Sequence, residues 1–411
     1  MSVFQSADIL VPQGREMEKW AVIACDQYTS QPEYWARVRE YVGDAESVLN
    51  LILPEAEMEE ADQRIEGIHK VMHQYLESSV FEEYKKSYIY IERTLVNGTI
   101  RKGVIGAVDL ENYDYSDCST AAIRATERTV EERIPPRMNI RRNAPIELPH
   151  ILMLCDDKER TLIESLEQIK GECKKLYEFD LMEDGGHIAG WLVEGELVQL
   201  FDEKLNAYIA NNAKEYEGTG KVPMVFAVGD GNHSLATAKA CYEELKRNNP
   251  GQDLSNHPAR YALVELENIH DESQEFEPIH RILTDTDTKK LLDTMKEELC
   301  VEEGYPIICY VGEKEETIYL NSELGELPVA ILQKFLDEYL EKAEGKIDYI
   351  HGEDVVKELA KKENSIGLIL PDIAKNQFFK GIVMDGVLPR KTFSMGHAQE
   401  KRYYLEARKI V

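Results

Sequence analysis

Residues 222–246 contain the side chains whose types and spacing best suit chemistry. An apolar run at 224–228 is typical of a buried strand, and apolar residues recur at helical spacing from Ser234 onward. Asp230, Gly231, Asn232 and His233 form a short polar turn between the two. Such a junction directs unpaired backbone N–H groups and the positive end of a helix dipole at one point in space. The pattern predicts an anion or phosphate site, with Asp230 as a base or metal ligand.

A purely structural interpretation of this turn is also open. Asn232 or Asp230 would then cap the helix, and His233 would be a surface residue of its first turn. The turn completes neither a P-loop nor a GxGxxG motif, so spacing alone does not decide between the two interpretations.

An N-terminal polar stretch is the second candidate source of site residues. It follows a predicted strand at 20–25 and begins with Asp26 and Gln27, in a segment dense in aromatic, amide and hydroxyl groups. We expect these two residues to hold the substrate, or Asp26 to serve as a second acid.

A basic cluster of six arginines lies between positions 124 and 142 of a chain that is otherwise acidic. Arginine makes forked contacts with phosphate and carboxylate groups, so Arg124, Arg137 and Arg141 are candidate phosphate ligands. The alternative is pairing within the chain, and the nearby acids are Glu127, Glu131 and Glu132.

Composition narrows the classes of partner. The 411 residues include 48 Lys and Arg against 77 Asp and Glu, a formal net charge of −29. That field repels nucleic acids and anionic membranes, and the chain has neither an apolar run long enough to span a bilayer nor a secretion signal. Its seven cysteines contain no CxxC pair, which favours reduced thiols over a disulfide framework or a zinc site. We therefore expect a soluble cytoplasmic protein without nucleic-acid or membrane partners.

The order of predicted elements indicates a mixed α/β (α+β) fold, with mixed sheets that contain antiparallel pairs. Asn97-Gly98 predicts a hairpin between strands at 88–96 and 99–110. Helices are predicted at about 54–84 and at 158–179, an extended loop at Pro135-Pro136, and a smaller βαβ-like region from about 284. Three regions follow from these elements: 1–145 with the hairpin and the arginines, 146–285 with the DGNH turn, and 286–411 as a C-terminal α/β region.

Several segments resemble the bacterial family known as domain of unknown function 1015. GDGNHSLATA resembles the family's DGHHRYETA-like turn after a strand, PIHRIL at 278–283 its downstream THR-like motif, and PRKTFSMGHAQEKRYY at 389–404 its PQKST-F-P-like stretch. KGVIGAVDLENYDY at 102–115 and IRATERTVEERIPPR at 123–137 resemble its N-terminal half. Asp230, Gly231 and His233 match the motif, whereas Asn232 replaces its first histidine and Ser234 its arginine. Arg124, Arg137 or Arg141 is expected to replace that missing cation.

The DGHHR-like turn is similar, more weakly, to the DGxHR-like turn of the ParB/sulfiredoxin superfamily. That group includes ParB-like free-serine kinases, in which the turn cradles phosphate and supplies a catalytic aspartate. This likeness covers a short motif only, so what it implies is an analogy.

The resemblance and the turn together suggest a phosphotransferase that moves a phosphoryl group from ATP or ADP, with Mg²⁺, to a small hydroxyl metabolite such as serine. Its catalytic residues would be Asp230 and His233, with Asp230 alternatively holding the metal. Gly231, Asn232 and Ser234 would line the phosphates. His280 and Arg281 of the second motif would join Asp26 and Gln27 at the substrate. Two other functions stay open: a nucleotide- or metabolite-binding regulator without turnover, and a phosphoester hydrolase that uses Asp230 and His233 to activate water. Homo-oligomerisation is left open as well.

Overall fold

The structure is a computed structural model that describes residues 2–117, 119–389 and 391–411. Cys118, and Arg390 in the C-terminal motif stretch, lie outside the described residues. The chain divides into two compact units: the first comprises Met1–Ala125, Thr129–Gln274 and His397–Val411, and the second Thr126–Arg128 and Glu275–Gly396. The predicted boundaries after residues 145 and 285 stay predictions, and the two units group the residues differently.

The predicted fold class is confirmed, because helices and mixed sheets alternate along the chain. The described residues contain eleven α-helices: α1 Met17–Trp20, α2 Pro32–Val42, α3 Ala61–Glu77, α4 Ile134–Arg141, α5 Glu164–Ile169, α6 Glu196–Glu215, α7 Asn232–Asn248, α8 Thr288–Leu299, α9 Pro328–Leu340, α10 Glu353–Ala360 and α11 Lys375–Asp385.

The strands of the first unit include both long central strands and short pairs. They are β1 Phe4–Gln5, β2 Ala7–Pro12, β3 Val22–Ile23, β4 Phe81–Thr94, β5 Ile100–Asp109, β6 Tyr113–Asp114, β7 Ile123–Ala125, β8 Ile146–Glu147, β9 Leu152–Cys155, β10 Lys174–Asp180, β11 His187–Val193, β12 Phe226–Asp230 and β13 Tyr261–Asn268, with β21 Tyr403–Tyr404 and β22 Arg408–Lys409 near the C-terminus. The second unit contains β14 Phe276–Pro278, β15 His280–Thr284, β16 Cys300–Val311, β17 Lys314–Leu320, β18 Lys346–Ile350, β19 Ile366–Ile369 and β20 Phe393–Met395.

An eleven-stranded mixed sheet dominates the first unit. Its order is β10-β11-β4-β5-β13-β9-β12-β7-β6, with β1 paired to β5 and β2 to β4. The hairpin predicted at Asn97-Gly98 is present, because β4 and β5 pair antiparallel across that turn. Two short antiparallel pairs, β3 with β21 and β8 with β22, join the C-terminal segment to earlier parts of the chain.

This sheet separates two apolar cores, and the alternation of side chains along β4 shows why. Successive residues of a strand point to opposite faces. Tyr88 and Tyr90 accordingly lie in the core that contains Phe226, whereas Ile89 and Ile91 lie in the other. Burial of a large side chain such as the fully buried Phe226 stabilises the fold by roughly 1.5–3 kcal/mol.

The second unit is built on a five-stranded sheet of order β17-β16-β19-β15-β18. All pairs of this sheet are antiparallel. The βαβ-like pattern predicted from about residue 284 was therefore wrong in strand direction, since alternating helices and strands do not by themselves exclude antiparallel returns. A separate antiparallel pair joins β14 to β20.

Two predicted helical segments differ in the structure. Only Glu164–Ile169 of the predicted helix at 158–179 is α-helical, and β10 begins at Lys174. Tyr177 and Phe179 are buried while Glu178 is exposed, so this stretch follows the two-residue period of a strand paired to β11. The predicted helix at 54–84 is shorter as well: a 3₁₀ turn, then α3, then β4 from Phe81.

The extended loop predicted at Pro135-Pro136 was also wrong, because both prolines lie in the first turn of α4. The fixed φ of proline suits a helix there, and its missing N–H is one that a first turn leaves unpaired in any case. No helix in the described part of the chain has the length and apolar character needed to cross a membrane.

Candidate functional site

The turn between β12 and α7 is built around Gly231, the residue immediately before the helix begins. Gly231 has φ +80°, in the left-handed region that glycine adopts without penalty. A Cβ here would lie 3.0 Å from the Cα of Ile151, so a larger residue would require this neighbour to shift by a few tenths of an ångström. Both features favour glycine at this position.

The helix N-terminus carries no side-chain cap. The structural interpretation in which Asn232 or Asp230 caps α7 is therefore wrong, since Gly231 holds that position. The Ser234 N–H donates to the Gly231 carbonyl at 3.0 Å, so that the N–H groups of Asn232 and His233 and the helix dipole are what make this end suitable for an anion. The Oδ1 atom of Asn232 is buried and has no hydrogen-bond partner among the residues that the structure describes.

Asp230 lies at the end of β12, beyond a register shift against β9 that places it opposite Leu152. Its Oδ1 accepts a hydrogen bond from the Gly231 N–H at 2.9 Å, and its Oδ2 lies 3.2 Å from the Nζ of Lys401. Burial raises the pKa of Asp230, but the charges of Lys401 and His150 outweigh it, so that the net pKa lies below the usual value. Asp230 is therefore ionised near neutral pH and forms an ion pair with Lys401.

Buried guanidinium groups hold the segment that carries Lys401. Arg93 donates to the carbonyl oxygens of Gln399, Glu400 and Lys401 at 2.6, 3.0 and 2.7 Å, and Arg101 donates to Glu400 at 2.8 Å. Hydrogen bonds from a charged donor are stronger than neutral ones. The backbone on the N-terminal side of β21 is thus fixed, and Lys401 is positioned with it.

His150 connects several of the polar side chains. Its ring is 5% exposed, with Nε2 3.2 Å from the Ser234 Oγ and 3.7 Å from the Asp26 Oδ2. Its Nδ1 lies 2.7 Å from the hydroxyl of Tyr404, which in turn lies 3.1 Å from the Cys25 Sγ. Burial raises the pKa of Cys25 to about 12, followed by the charge of Asp26, so this thiol stays protonated. These five side chains form one connected network beside the DGNH turn.

The N-terminal polar stretch reaches this network through strand pairing. β3 pairs with β21, which brings Asp26 and Tyr404 to adjacent places, and the Ala24 N–H donates to the Arg402 carbonyl at 2.9 Å. The amide of Gln27 donates to the Asp26 Oδ1 at 3.0 Å. The structure thus places the Asp26 Oδ2 near His150, which also contacts Ser234, and Gln27 is bonded to Asp26. The substrate role of Asp26 and Gln27 stays a prediction.

His233 is a half-buried neutral ring. Its Nε2 accepts a hydrogen bond from the Val130 N–H at 3.3 Å. Burial, followed by the charges of Arg137 and Arg133, lowers its pKa to about 4, and the charge of Asp26 opposes this shift. No hydrogen bond or ion pair joins His233 to Asp230 in the described part of the chain, and their joint role in activating water stays a prediction.

The arginine cluster contributes one near cation and two remote ones. Arg137 forms an ion pair with Glu55 and acts on both His233 and Cys25. Arg141 instead pairs with Glu147 at 2.5 Å. Arg124 is buried and donates to the carbonyl oxygens of Ala121 and Val222 at 2.9 and 2.6 Å. Arg137 and Arg141 thus pair within the chain with Glu55 and Glu147, and Arg137 is the candidate that stays near the turn.

His280 and Arg281 belong to the second unit, on β15. The His280 Nδ1 accepts from the Leu370 N–H at 3.2 Å, and burial lowers its pKa. Arg281 is fully buried, donates to the Gln333 Oε1 at 3.0 Å and lies over the Tyr349 ring, 5.1 Å from its centroid. Burial lowers the pKa of Arg281 to about 10. Their assignment to the substrate stays a prediction, and the contacts described here are structural.

Sequence reasoning did not identify His150, Tyr404, Lys401 or Cys25 as site residues. For Lys401 and Tyr404 a signal existed, since both belong to the C-terminal motif stretch at 389–404. His150 stands at the start of an apolar run and carries no local sign of its role.

The residues present suit Mg²⁺ only in a limited sense. Mg²⁺ is usually bound through one or two carboxylates together with substrate phosphates, and not by an all-protein cage. Asp26 and Asp230 can supply such carboxylates, but both oxygens of Asp230 already have partners, and Lys401 would have to move before a cation could bind there. Asp230 as a metal ligand stays a prediction.

The chain belongs to the family described as "Protein of unknown function (DUF1015)", whose model matches residues 10–381. The resemblance inferred from the motifs is confirmed. Lys401 and Tyr404 lie beyond the matched range. Among curated proteins, no match was found.

Several solved structures are similar in part. A variant of free serine kinase in complex with AMP has a TM-score of 0.38 and 13% identity, covering 74% of this chain and 91% of that chain. The complex of a variant of that kinase with ADP has the same TM-score and coverages at 12% identity. A conserved hypothetical protein from Pyrococcus furiosus has a TM-score of 0.34 and 12% identity, covering 71% and 90%. Likenesses at this level do not establish a function, and the proposal that follows depends on the geometry of the site.

Proposed function

We propose that the protein is a phosphotransferase that moves a phosphoryl group from a nucleotide, ATP or ADP with Mg²⁺, to the hydroxyl of a small polar metabolite such as serine. The observation that carries the proposal is the ion pair of Asp230 and Lys401 beside the uncapped N-terminus of α7. An acid, a cation and unpaired N–H groups meet at one backbone turn, and these are the groups that phosphoryl transfer uses.

Binding of the donor follows from charge and backbone geometry. The N–H groups of the first turn of α7, at a helix end without a side-chain cap, would bind a phosphate of the donor. The backbone of Lys401 is fixed because its carbonyl oxygen accepts a hydrogen bond from Arg93. Its ammonium group contacts a single carboxylate among the described residues, that of Asp230. The ammonium can therefore turn from Asp230 to a phosphate oxygen when the nucleotide enters.

Chemistry at the acceptor then falls to Asp230. Phosphoryl transfer depends on positioning and charge neutralisation more than on covalent chemistry by the protein. Once Lys401 has turned to the phosphate, the Asp230 carboxylate is released to orient the acceptor hydroxyl and to take its proton. Asp26, whose Oδ2 lies 3.7 Å from the His150 Nε2, would bind the polar part of the acceptor. Mg²⁺ would supply charge neutralisation between the phosphate oxygens.

The test is nucleotide consumption by the full-length protein with Mg²⁺ and a panel of small hydroxyl metabolites that includes serine. We expect acceptor-dependent turnover that falls about 100-fold or more in Asp230→Asn, the range typical of a lost general base. Asp62→Asn, an exposed acid in the first turn of α3, is the matched control and should keep full turnover.

Other outcomes point to the other functions. Nucleotide binding without turnover, unaffected by Asp230→Asn, would contradict the proposal and favour a regulator. Release of inorganic phosphate without any acceptor would contradict it in favour of a hydrolase.

A further inference from the structure

The Ser234 hydroxyl and the His150 ring form a pair that the proposed function does not use. Ser234 lies in the first turn of α7 with its Oγ 3.2 Å from the Nε2 of a histidine that is 5% exposed. A nucleophile within hydrogen-bond reach of a base, which is itself oriented by a third group, is the arrangement of nucleophilic catalysis. Here the third group is Tyr404.

The hydrogen bonds of Tyr404 are compatible with the tautomer of His150 that a base at Nε2 requires. The hydroxyl of Tyr404 can donate to the Cys25 Sγ at 3.1 Å while it accepts from the Cys25 N–H at 3.4 Å and from the His150 Nδ1 at 2.7 Å. In that tautomer Nδ1 carries the proton, and Nε2 presents a lone pair to the hydroxyl of Ser234.

Asp26 adds a negative charge beside the pair formed by Ser234 and His150. Its Oδ2 lies 3.7 Å from the His150 Nε2, so that it stabilises the imidazolium that forms when Nε2 takes a proton. Ser234 also lies on the same helix turn at which the phosphate of the donor is proposed to bind. Nucleophile, base and donor site are thus adjacent.

We propose that Ser234 is an internal phosphoryl acceptor, activated by His150 and labelled by the nucleotide donor when no small acceptor is present. This inference deepens the proposed function and rests on it. The Ser234 Oγ forms a bond to the terminal phosphorus of the nucleotide, and the bond from that phosphorus to the bridging oxygen breaks. The shortened nucleotide leaves with the bonding electron pair, and the hydroxyl proton passes to the His150 Nε2 and then to solvent. The product is phosphoserine at position 234.

The experiment incubates the full-length protein with ATP, and separately with ADP, in the presence of Mg²⁺ and without an acceptor. Peptide mass spectrometry then locates the phosphoryl group. We expect phosphoserine at 234, a rate about 100-fold lower in His150→Gln, and suppression of the label by the small acceptor that supports turnover. Ser78→Ala, an exposed serine at the end of α3, is the matched control and should label as the native protein does.

Two further variants separate chemistry from structure. Ser234→Ala should abolish the label, and Ser234→Thr should restore it as phosphothreonine, so a fold defect in the alanine variant leaves the test intact. Tyr404→Phe should lower the labelling rate without changing the nucleotide concentration that gives half-maximal labelling, since Tyr404 orients the base and does not contact the donor.

The outcomes distinguish this inference from the proposed function. Acceptor-dependent turnover in a preparation that shows no label at Ser234 would overturn the inference and leave the function standing. A label that persists in Ser234→Ala would overturn it as well. Absence of both turnover and label would overturn the two together.

Discussion

Two histidine-containing motifs, the DGNH turn at 230–233 and the segment with His280 and Arg281 on β15, differ in the contacts of their polar groups. At the turn, Asp230 and His233 are half-buried, and the helix that follows has no side-chain cap. On β15, His280 and Arg281 are buried, and the described contacts of both are with the second unit's own backbone and side chains. The helix end at the turn is thus uncapped, whereas His280 and Arg281 bond within the second unit, where the Arg281 Nη2 has no hydrogen-bond partner among the described residues.

The difference shows what a motif resemblance conveys. Both segments resemble motifs of one family, and the sequence analysis gave both a role at the site. A buried polar group has to be paired within the protein, because an unpaired one costs about 1–3 kcal/mol. Arg281 meets that requirement largely through Gln333, Ile279 and Tyr349. The family resemblance thus identified both segments, but only the structure showed that their side chains differ in burial.

The largest expected effect is that of Lys401→Met. Loss of this cation should lower turnover about 100-fold, the range seen when one transition-state donor is removed. Because Lys401 holds the pKa of Asp230 below its usual value, that pKa should rise in the variant, and the acid limb of the pH–rate profile should move to higher pH. Lys409→Met, an exposed lysine in the same C-terminal segment, is the control. An unchanged acid limb would show that Asp230 does not set it.

Arg281→Met tests the other side of the comparison. Removal of a buried guanidinium leaves the Gln333 Oε1 and the Ile279 carbonyl without a donor, so we expect the free energy of unfolding to fall by about 1–3 kcal/mol. Thermal unfolding measures the change, with exposed Lys289→Met as the control. A raised KM for the small acceptor at unchanged stability would instead support the substrate role that the sequence predicted.

Gly231→Ala tests two constraints on position 231, the left-handed backbone conformation and the short distance to Ile151. The left-handed φ of position 231 should cost about 1–2 kcal/mol in any other residue. Gly98→Ala is the matched control, because Gly98 has a similar φ of +84° in the hairpin turn but nothing within 4 Å of the added Cβ. We expect Gly231→Ala to be the more destabilising of the two in urea unfolding, and only it to weaken nucleotide binding. Equal effects in both assays would remove the argument for a close backbone approach.

The smallest effect concerns His233, whose pKa of about 4 keeps its ring neutral where an ordinary histidine titrates, at about pH 6.5. Nuclear magnetic resonance of the ring should show no titration in that range in the folded protein, and an ordinary one after unfolding in urea. His233 would then act as a neutral group. A titration near pH 6.5 in the folded state would mean that burial and Arg137 do not act as described.

Much of the fold followed from local patterns. The hairpin at Asn97-Gly98 and the strand–turn–helix unit at Gly231 were predictable because each depends on turn chemistry and on periodicity within one segment. The prediction of a single helix at 158–179 was wrong because, over a short stretch, its apolar residues fit both the 3.6-residue period of a helix and the two-residue period of a strand. Pairing of β10 with β11 decided it.

The sequence by itself determined the position of Asp230 and Gly231, since a left-handed glycine between a buried strand and a helix is a local requirement. It also identified Asp26 and the C-terminal motif as separate candidates. Only the tertiary structure decided that His150, Lys401 and Tyr404 meet at that turn, because strand pairing and the carbonyl contacts of Arg93 connect residues that are hundreds of positions apart. Spacing along the chain carries no information about such contacts, because they depend on which strands pair and which side chains become buried in the folded protein.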